Sequence, residues 1–126
     1  MAIANPNYIA LPVSKTGYKS LDDFYPYYLG EHGKKTTRRL HMLGTTLGLF
    51  TLMRLLLAWS RVAGWEMSSN QMWKLAAGGL IQGYLWAWIG HFFVEKNRPA
   101  TFKYPFYSFA CDWKMWWEVI TVQRDF

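Results

Sequence analysis

Two long apolar segments joined by a short polar turn are the feature that most limits how this chain can fold. The first runs from His41 to Ser60 with Arg54 as its one charged residue, and the second runs from Trp73 to Glu95. A helix rises about 1.5 Å per residue, so each segment extends about 30 Å as a helix, the thickness of a hydrocarbon core. The pattern predicts an all-α fold built on a membrane helical hairpin.

We place the two spanning helices at about residues 38–60 and 73–96, and we interpret the second as the stronger candidate. Arg54 weakens the first, because a charge at the bilayer centre costs at least about 2.5 kcal/mol on insertion scales. It lies away from the middle of the segment, however, and can extend its guanidinium group to the interface. Small residues at four-residue spacing predict close packing of the two helices. They are Gly44, Gly48, Gly79, Gly83 and Ala87.

The residues before the first apolar segment are irregular and aromatic. Prolines and a glycine interrupt any period in residues 1–19, so we expect an irregular N-terminal arm. Ser20 followed by Asp23 has the form of a capping box and predicts a short aromatic helix after it. A basic connection follows, in which Thr36 or Thr37 is placed to cap the first long helix.

The last segment, 106–122, mixes aromatic residues with charged ones. It contains three tryptophans as well as Asp112, Lys114 and Glu118. It is too polar to span a membrane and aromatic enough to lie in the interface as an amphipathic helix. Eight residues each of Trp, Tyr and Phe also agree with a protein at a membrane surface. We therefore treat residues 1–126 as a single membrane domain.

Charge is distributed unevenly along the chain. The formal net charge is +6, and basic residues gather before the first apolar segment and after the second. The positive-inside rule then places both chain ends on the cytoplasmic side of an integral membrane protein. No cleavable signal peptide is visible in residues 1–20. The basic residues form no nucleic-acid-binding motif, so we expect membrane lipid, and no nucleic acid, as a partner.

The chain has three histidines, His32, His41 and His91, and each lies at the cytoplasmic edge of an apolar element. His41 and His91 are equally far from the centre of the turn, so an antiparallel hairpin places them at the same depth. Glu31 lies at the same end, and Glu95 follows His91 by one helical turn. Such a set contains the two-His, one-carboxylate arrangement of non-haem Fe(II) oxygenases. Taken singly, each histidine is better explained as a capped or solvated side chain.

Three arginines, Arg38, Arg39 and Arg98, flank the same end of the hairpin. A guanidinium group can hold a carboxylate through two parallel hydrogen bonds, which suggests a role in binding an acidic substrate. The alternative is contact with lipid phosphates. No phosphate loop or dinucleotide-binding pattern is visible, so we expect no nucleotide cofactor. We also expect no haem, because one short hairpin gives a macrocycle poor cover.

Several sequence blocks around these residues are distinctive. They are Tyr25-Pro26-Tyr27-Tyr28-Leu29-Gly30-Glu31-His32, Arg38-Arg39-Leu40-His41, Gly44-Thr45, Gly90-His91, Glu95-Lys96-Asn97-Arg98-Pro99-Ala100-Thr101-Phe102, Tyr104-Pro105, Ser108, Asp112 and Met115. Together these blocks resemble the family of membrane 2-hydroxy fatty acid dioxygenases from phytosphingosine degradation.

The resemblance implies an enzyme that uses Fe(II) and O2 to shorten a free 2-hydroxy fatty acid by one carbon. It implies His32, His41 and His91 as the metal-associated residues. The catalytic candidates, as further ligands or as partners of the ligands, are Glu95, Glu31 and Asp112. The substrate-binding candidates are Arg38, Arg39 and Arg98. The eukaryotic family resides in the endoplasmic reticulum; otherwise we expect an organellar or bacterial inner membrane.

A second function, from a different class, is open at this point. The chain resembles a short form of the family, with one hairpin where the characterised enzymes have further spans. Its eight tryptophans and its long N-terminal arm also suit a surface that packs against other subunits. The alternative is therefore a non-catalytic accessory subunit of a larger membrane protein complex that keeps the family fold.

Overall fold

The computed structural model describes residues 2–126, and the predicted all-α class is confirmed over that range. The helices are α1 (Leu21–Gly30), α2 (Lys35–Trp59), α3 (Ser69–Ile89) and α4 (Pro105–Ile120). A π-helical turn, Gly90–Glu95, continues α3, and a short 3-10 turn, Ala100–Phe102, precedes α4.

Helices α2 and α3 form an antiparallel pair that packs closely through small residues. A Cβ atom added at Gly44 would lie 3.2 Å from the Cα of Gly83, and one added at Gly79 would lie 2.6 Å from Cγ2 of Thr51. The predicted close approach is therefore confirmed at these positions, where a larger residue would push the helices apart. Gly48 differs, because a Cβ atom there would meet nothing within 4 Å.

Of the helices in residues 2–126, α2 alone is long and apolar enough to cross a membrane. The prediction that the second helix is the stronger spanning candidate is therefore wrong. The reason is composition: α3 contains glycines, two glutamines, an asparagine, tryptophans and a tyrosine, none of which is strongly apolar on a hydropathy scale. The hairpin exists as a pair of helices, and the crossing of a membrane by both helices stays a prediction.

Residues 2–19 of the N-terminal arm are irregular, as predicted, and lie against α1, while Met1 lies outside the described residues. Tyr8 is buried, and a Cβ atom added at Gly30 would come within 2.5 Å of the carbonyl oxygen of Ile9, so the arm needs a glycine beneath it. Helix α1 begins at Ser20, whose Oγ accepts a hydrogen bond from the backbone N–H of Asp23 at 3.1 Å. The predicted cap is therefore present.

Helix α2 is capped differently from the prediction. Thr36 and Thr37 both lie inside the helix, and the residue at its N-cap is Lys34. The backbone N–H of Lys34 donates a hydrogen bond to Oε1 of Glu95 at 2.5 Å. A carboxylate at this place also lies near the positive end of the helix dipole, which favours a negative charge there.

Helices α1 and α4 pack together over an aromatic core at the end of the hairpin where α2 begins and α3 ends. The buried residues of this core are Tyr8, Phe24, Tyr25, Tyr28, Leu29, Ala100, Cys111 and Met115. Trp116 of α4 donates its Nε1–H to Oγ1 of Thr46 at 2.9 Å, which ties the core to α2. Rigid packing of large rings gives this end of the molecule a fixed platform.

The other end of the hairpin is a turn held by Arg54. Its Nη1–H donates to the carbonyl oxygen of Trp65 at 2.8 Å, and its guanidinium lies 5.3 Å from the Trp65 ring centre. The Arg54 side chain thus extends toward the end of the helix, and its placement at a membrane interface stays a prediction. Helix α4 has a buried face and an exposed apolar face that includes Phe106 and Trp117, as an amphipathic helix should.

A buried ion pair closes the C-terminal end of the fold. Nε of Arg124 donates to Oε2 of Glu118 at 2.6 Å, and the hydroxyl of Tyr25 donates to the same oxygen at 2.7 Å. Arg124 also donates to backbone carbonyls of Ala4 and Asn5, which anchors the N-terminal arm.

Glu118→Ala should therefore destabilise the protein strongly. Removing the carboxylate leaves a buried guanidinium without its charged partner, which costs about 3–5 kcal/mol in comparable pairs. Thermal unfolding of the purified protein would measure the loss, with Glu66→Ala in the exposed turn as the control. Equal unfolding midpoints for the two variants would contradict this role of the pair.

Candidate metal centre

Three histidines from separate parts of the chain meet at the base of the hairpin, which is the end where α2 begins and α3 ends. His32 follows the end of α1, His41 lies in the second turn of α2, and His91 lies in the π-helical turn after α3. Their Nε2 atoms form a nearly equilateral triangle with sides of 3.1, 3.1 and 3.2 Å. The prediction that His41 and His91 share one depth is thus confirmed, and His32 joins them.

Each imidazole ring is held from its other nitrogen. All three Nδ1–H groups point at an oxygen of the chain that can accept a hydrogen bond. The acceptors are the carbonyl of Tyr28 at 2.6 Å from His32, Oδ1 of Asp112 at 3.1 Å from His41 and Oδ1 of Asn97 at 2.7 Å from His91. A proton on Nδ1 leaves a lone pair on Nε2 of the neutral ring, so three lone pairs converge.

The side chain of Asn97, whose Oδ1 accepts the hydrogen bond from His91, is oriented by further hydrogen bonds. Nδ2 of Asn97 donates to the backbone carbonyl of Glu31 at 3.0 Å and to its Oε2 at 2.9 Å, so Oδ1 must face His91. The backbone N–H of Asn97 donates to the carbonyl of His91 at 2.9 Å, with Lys96 in the left-handed region at φ 59°. The end of the π-helical turn thus folds Asn97 back onto the histidine.

A divalent metal ion fits this arrangement. Nitrogens bound at right angles about 2.1 Å from one ion are about 3.0 Å apart, close to the observed sides of the triangle. All three rings are buried, and burial, followed by the electrostatic effect of the adjacent His41 and His91 rings, holds the pKa of His32 well below its usual range. Three neutral buried acceptors facing one another repel unless a cation lies between them. Among residues 2–126, only these three form such a group.

Tyr28 links two of the three ligands and was missed in the sequence. Its carbonyl holds His32, its ring packs on the His32 ring at 4.2 Å between centres, and its hydroxyl donates to Oδ1 of Asp112, the partner of His41. Burial and the Asp112 carboxylate raise the pKa of Tyr28 well above its usual value, so the hydroxyl remains a donor. In the sequence, the position of Tyr28 one helical turn before His32 could have indicated this contact.

The three carboxylates proposed from the sequence lie in different places. Asp112 contacts His41 directly. Glu31 reaches His91 through Asn97, and burial followed by the charge of Glu95 raises its pKa. Glu95 accepts a hydrogen bond from the backbone N–H of Lys34, the N-cap residue of α2, and does not join the imidazoles. The reason is that residues 90–95 are π-helical, so the four-residue spacing does not place His91 and Glu95 as an α-helix would.

The three arginines proposed from the sequence differ in burial and in their contacts. Arg38 is buried, and its Nη1 donates to the carbonyls of His32 and Gly33, both at 2.8 Å, so it holds the segment that carries His32. Its guanidinium lies 3.7 Å from the ring centre of Tyr8. Arg39 and Arg98 are exposed. Arg39 and Arg98 are therefore accessible to solutes, whereas Nη1 of Arg38 is already hydrogen-bonded to backbone carbonyls.

A cavity of about 250 Å³ lies between α2 and α3 and reaches His41. His41 and Asp112 line one end of it, and the remaining walls are mostly apolar side chains and glycines. A polar centre at the end of an apolar chamber suits an amphiphilic ligand.

The fold and the site together define an all-α protein with an exposed helical hairpin and a buried three-histidine group that can hold a metal ion. Over residues 18–124 the sequence matches the model of one protein family, described as 2-hydroxy-palmitic acid dioxygenase Mpo1-like. The match covers most of the chain, which therefore belongs to that family, as the resemblance of its sequence blocks predicted. No curated protein and no solved structure matches the chain.

Tyr28→Phe should weaken metal binding while the fold stays intact. The change removes the hydroxyl that orients Asp112, and loss of an outer partner of a metal ligand lowers affinity about tenfold or more. Titration with Co(II), followed by its visible absorption, measures the affinity. Tyr27→Phe on the same helix is the matched control, because Tyr27 packs among aromatic rings away from the histidines. Equal affinities in the two variants would show that Tyr28 does not position the site.

Proposed function

We propose that this protein is an Fe(II)-dependent dioxygenase that removes one carbon from 2-hydroxy fatty acids. The observation that carries the proposal is the triangle of three imidazole nitrogens, each oriented by a hydrogen bond on its far side. The family match supports the substrate class and the type of reaction.

The stoichiometry of such a reaction balances with O2 as the one oxidant. R–CH(OH)–COOH and O2 give R–COOH, CO2 and H2O, so one carbon–carbon bond breaks and the hydroxyl-bearing carbon becomes the new carboxyl carbon. Bound by His32, His41 and His91, Fe(II) would supply the reaction with O2 and coordination positions open to the hydroxy acid.

The charges of the surrounding residues suit an anionic substrate. As metal ligands the three imidazoles would carry no charge, and Asp112 is the carboxylate in direct contact with one of them. A divalent ion with one adjacent carboxylate leaves a net charge of about +1, which a single substrate carboxylate neutralises. The Asp112 carboxylate also keeps the proton of His41 on Nδ1, and the Tyr28 hydroxyl holds Asp112 in place.

The remaining site candidates have roles that we propose from their positions. Glu31 acts through Asn97 on the orientation of His91, and Glu95 joins the end of the π-helical turn to the start of α2. The exposed guanidinium groups of Arg39 and Arg98 attract the substrate carboxylate toward this end of the hairpin. These roles rest on the placement of the side chains and on the resemblance of the matched blocks.

We also propose that both helices of the hairpin lie in a membrane, with both chain ends on the cytoplasmic side. In support, only 11 % of the most apolar window of α2 is buried, unlike the core helix of a soluble protein. Large apolar side chains are exposed on α3 as well, among them Leu80, Ile81 and Leu85. Basic residues flank the base of the hairpin, and the exposed aromatic face of α4 would lie at the lipid surface. A eukaryotic source would place it in the endoplasmic reticulum.

Oxygen uptake tests the proposed activity. Anaerobically purified protein loaded with Fe(II) should consume O2 when 2-hydroxypalmitate is added, and palmitate, which lacks the hydroxyl, should give none. His91→Ala should reduce the rate by more than the 10–100-fold typical of losing an outer partner, because it removes a ligand. Glu66→Ala in the turn is the control and should keep full activity.

Protein that retains no iron and consumes no O2 under reducing conditions would contradict the enzyme. That outcome would favour the accessory subunit, whose exposed hairpin would then pack against other membrane proteins. Convergence of the imidazoles supports the enzyme, since a purely structural hairpin needs no such group.

A further inference from the structure

The cavity between α2 and α3 runs away from the histidines along the hairpin. Its walls extend from His41 to Leu55 on α2, a separation of about 21 Å along a helix. On α3 they extend from Ala87 back to Ala76. One end of the chamber is therefore the proposed reaction centre, and the other approaches the turn of the hairpin.

The polarity of the chamber changes along its length. The imidazole and the carboxylate in its wall, those of His41 and Asp112, are at the base, and Tyr84 of α3 also lines it. Farther along, the polar wall residue Thr51 donates its hydroxyl to the carbonyl of Leu47 at 3.0 Å, so it offers no free donor to a ligand. A ligand that fits has one polar end and an apolar remainder.

Four glycines line the chamber, and they differ in the room beside them. A Cβ atom at Gly83 would meet only the carbonyl oxygen of Gly44, at 3.9 Å. Gly44 and Gly79 also line it, but a Cβ atom at either would strike the facing helix. Gly48 lines it as well, and a Cβ atom there would meet nothing within 4 Å. A side chain at position 48 would therefore occupy the chamber without separating the helices.

We propose that this chamber holds the part of the substrate alkyl chain nearest the reacting carbons, and that Gly48 determines whether a long chain can enter. The inference rests on the proposed function, because it takes the 2-hydroxy carboxylate to be held at the three histidines. At about 250 Å³ the chamber is slightly smaller than the pockets of roughly 300–1,000 Å³ that enclose a whole drug-sized ligand. It encloses the first part of a long acyl chain, and the rest leaves through its open side.

The consequence is a selectivity that depends on chain length. Each methylene that leaves water for an apolar wall strengthens binding about fourfold, so the enclosed carbons should contribute most of the affinity. Gly48→Leu should exclude them and weaken binding of 2-hydroxypalmitate at least about tenfold. Binding of 2-hydroxybutyrate, whose chain ends near the polar centre, should not change.

The test is direct binding to the full-length protein loaded with Zn(II), which takes the same nitrogen ligands and does not react with O2. Displacement of a fluorescent fatty acid measures the affinities of 2-hydroxybutyrate and 2-hydroxypalmitate. Gly78→Leu is the matched control: position 78 is also open, is on the same hairpin and is not part of the chamber wall. That variant should bind both acids as the unchanged protein does.

The outcomes of this experiment test the chamber separately from the proposed enzymatic activity. The chamber is supported if Gly48→Leu weakens the binding of 2-hydroxypalmitate but not of 2-hydroxybutyrate, and if Gly78→Leu weakens neither. This result supports the chamber whether or not iron-loaded protein consumes O2. Equal affinities for 2-hydroxypalmitate in Gly48→Leu and Gly78→Leu would overturn the chamber even if O2 uptake is observed. A long acid bound no more tightly than the short one by the unchanged protein would overturn it as well.

Photochemical labelling locates the chain independently. A 2-hydroxy fatty acid with a diazirine on a carbon close to the carboxyl end should label the less exposed wall of the chamber near the histidines, at Tyr84 or Ala87. Labelling confined to the outward side chains, such as Phe50 and Ile81, would place the chain in the surrounding lipid and overturn the proposal.

Discussion

The convergence of three buried imidazole nitrogens is the constraint on which the rest of the structure depends. Nε2 atoms 3.1 to 3.2 Å apart, each carrying a lone pair, repel one another unless a cation joins them. A carbonyl, a carboxylate and an amide oxygen of the chain hold the rings in place through hydrogen bonds to their Nδ1 atoms. Those three acceptors belong to α1, α4 and the segment after the π-helical turn, so most of the molecule meets at this point.

The two ends of the hairpin serve different purposes in this account. At the base, aromatic packing of α1 against α4 fixes Tyr28 and Asp112, and through them two of the three rings. Away from the base, α2 and α3 touch through glycines and leave a chamber between them, while their outer faces remain apolar and exposed. A rigid polar centre and an apolar chamber with one open side suit an amphiphilic ligand.

The sequence supported correct predictions where periodicity and symmetry decide the structure. The length of the apolar segments gave the hairpin, and equal distances from its turn placed His41 opposite His91. The role of Glu95 could not be predicted, because it depends on a π-helical turn whose hydrogen bonds form only in the folded chain. Tyr28 and Asn97 were missed for a related reason. The Tyr28 hydroxyl meets Asp112 across a tertiary contact that no spacing encodes, and the Asn97 amide faces His91 only because the π-helical turn folds it back. The Tyr28 carbonyl, one helical turn before His32, is the one contact that spacing could have indicated. Arg38 likewise binds backbone carbonyls that only the fold brings to it.

X-ray absorption spectroscopy of the protein loaded with Fe(II) tests the central claim most directly. The account predicts one tightly bound iron per chain, with scattering from three imidazole rings whose nitrogens lie about 2.1 Å from the metal. Addition of a 2-hydroxy fatty acid should add oxygen ligands and leave the three imidazoles in place. Iron that shows no imidazole scattering, or protein that binds no iron at all, would contradict it.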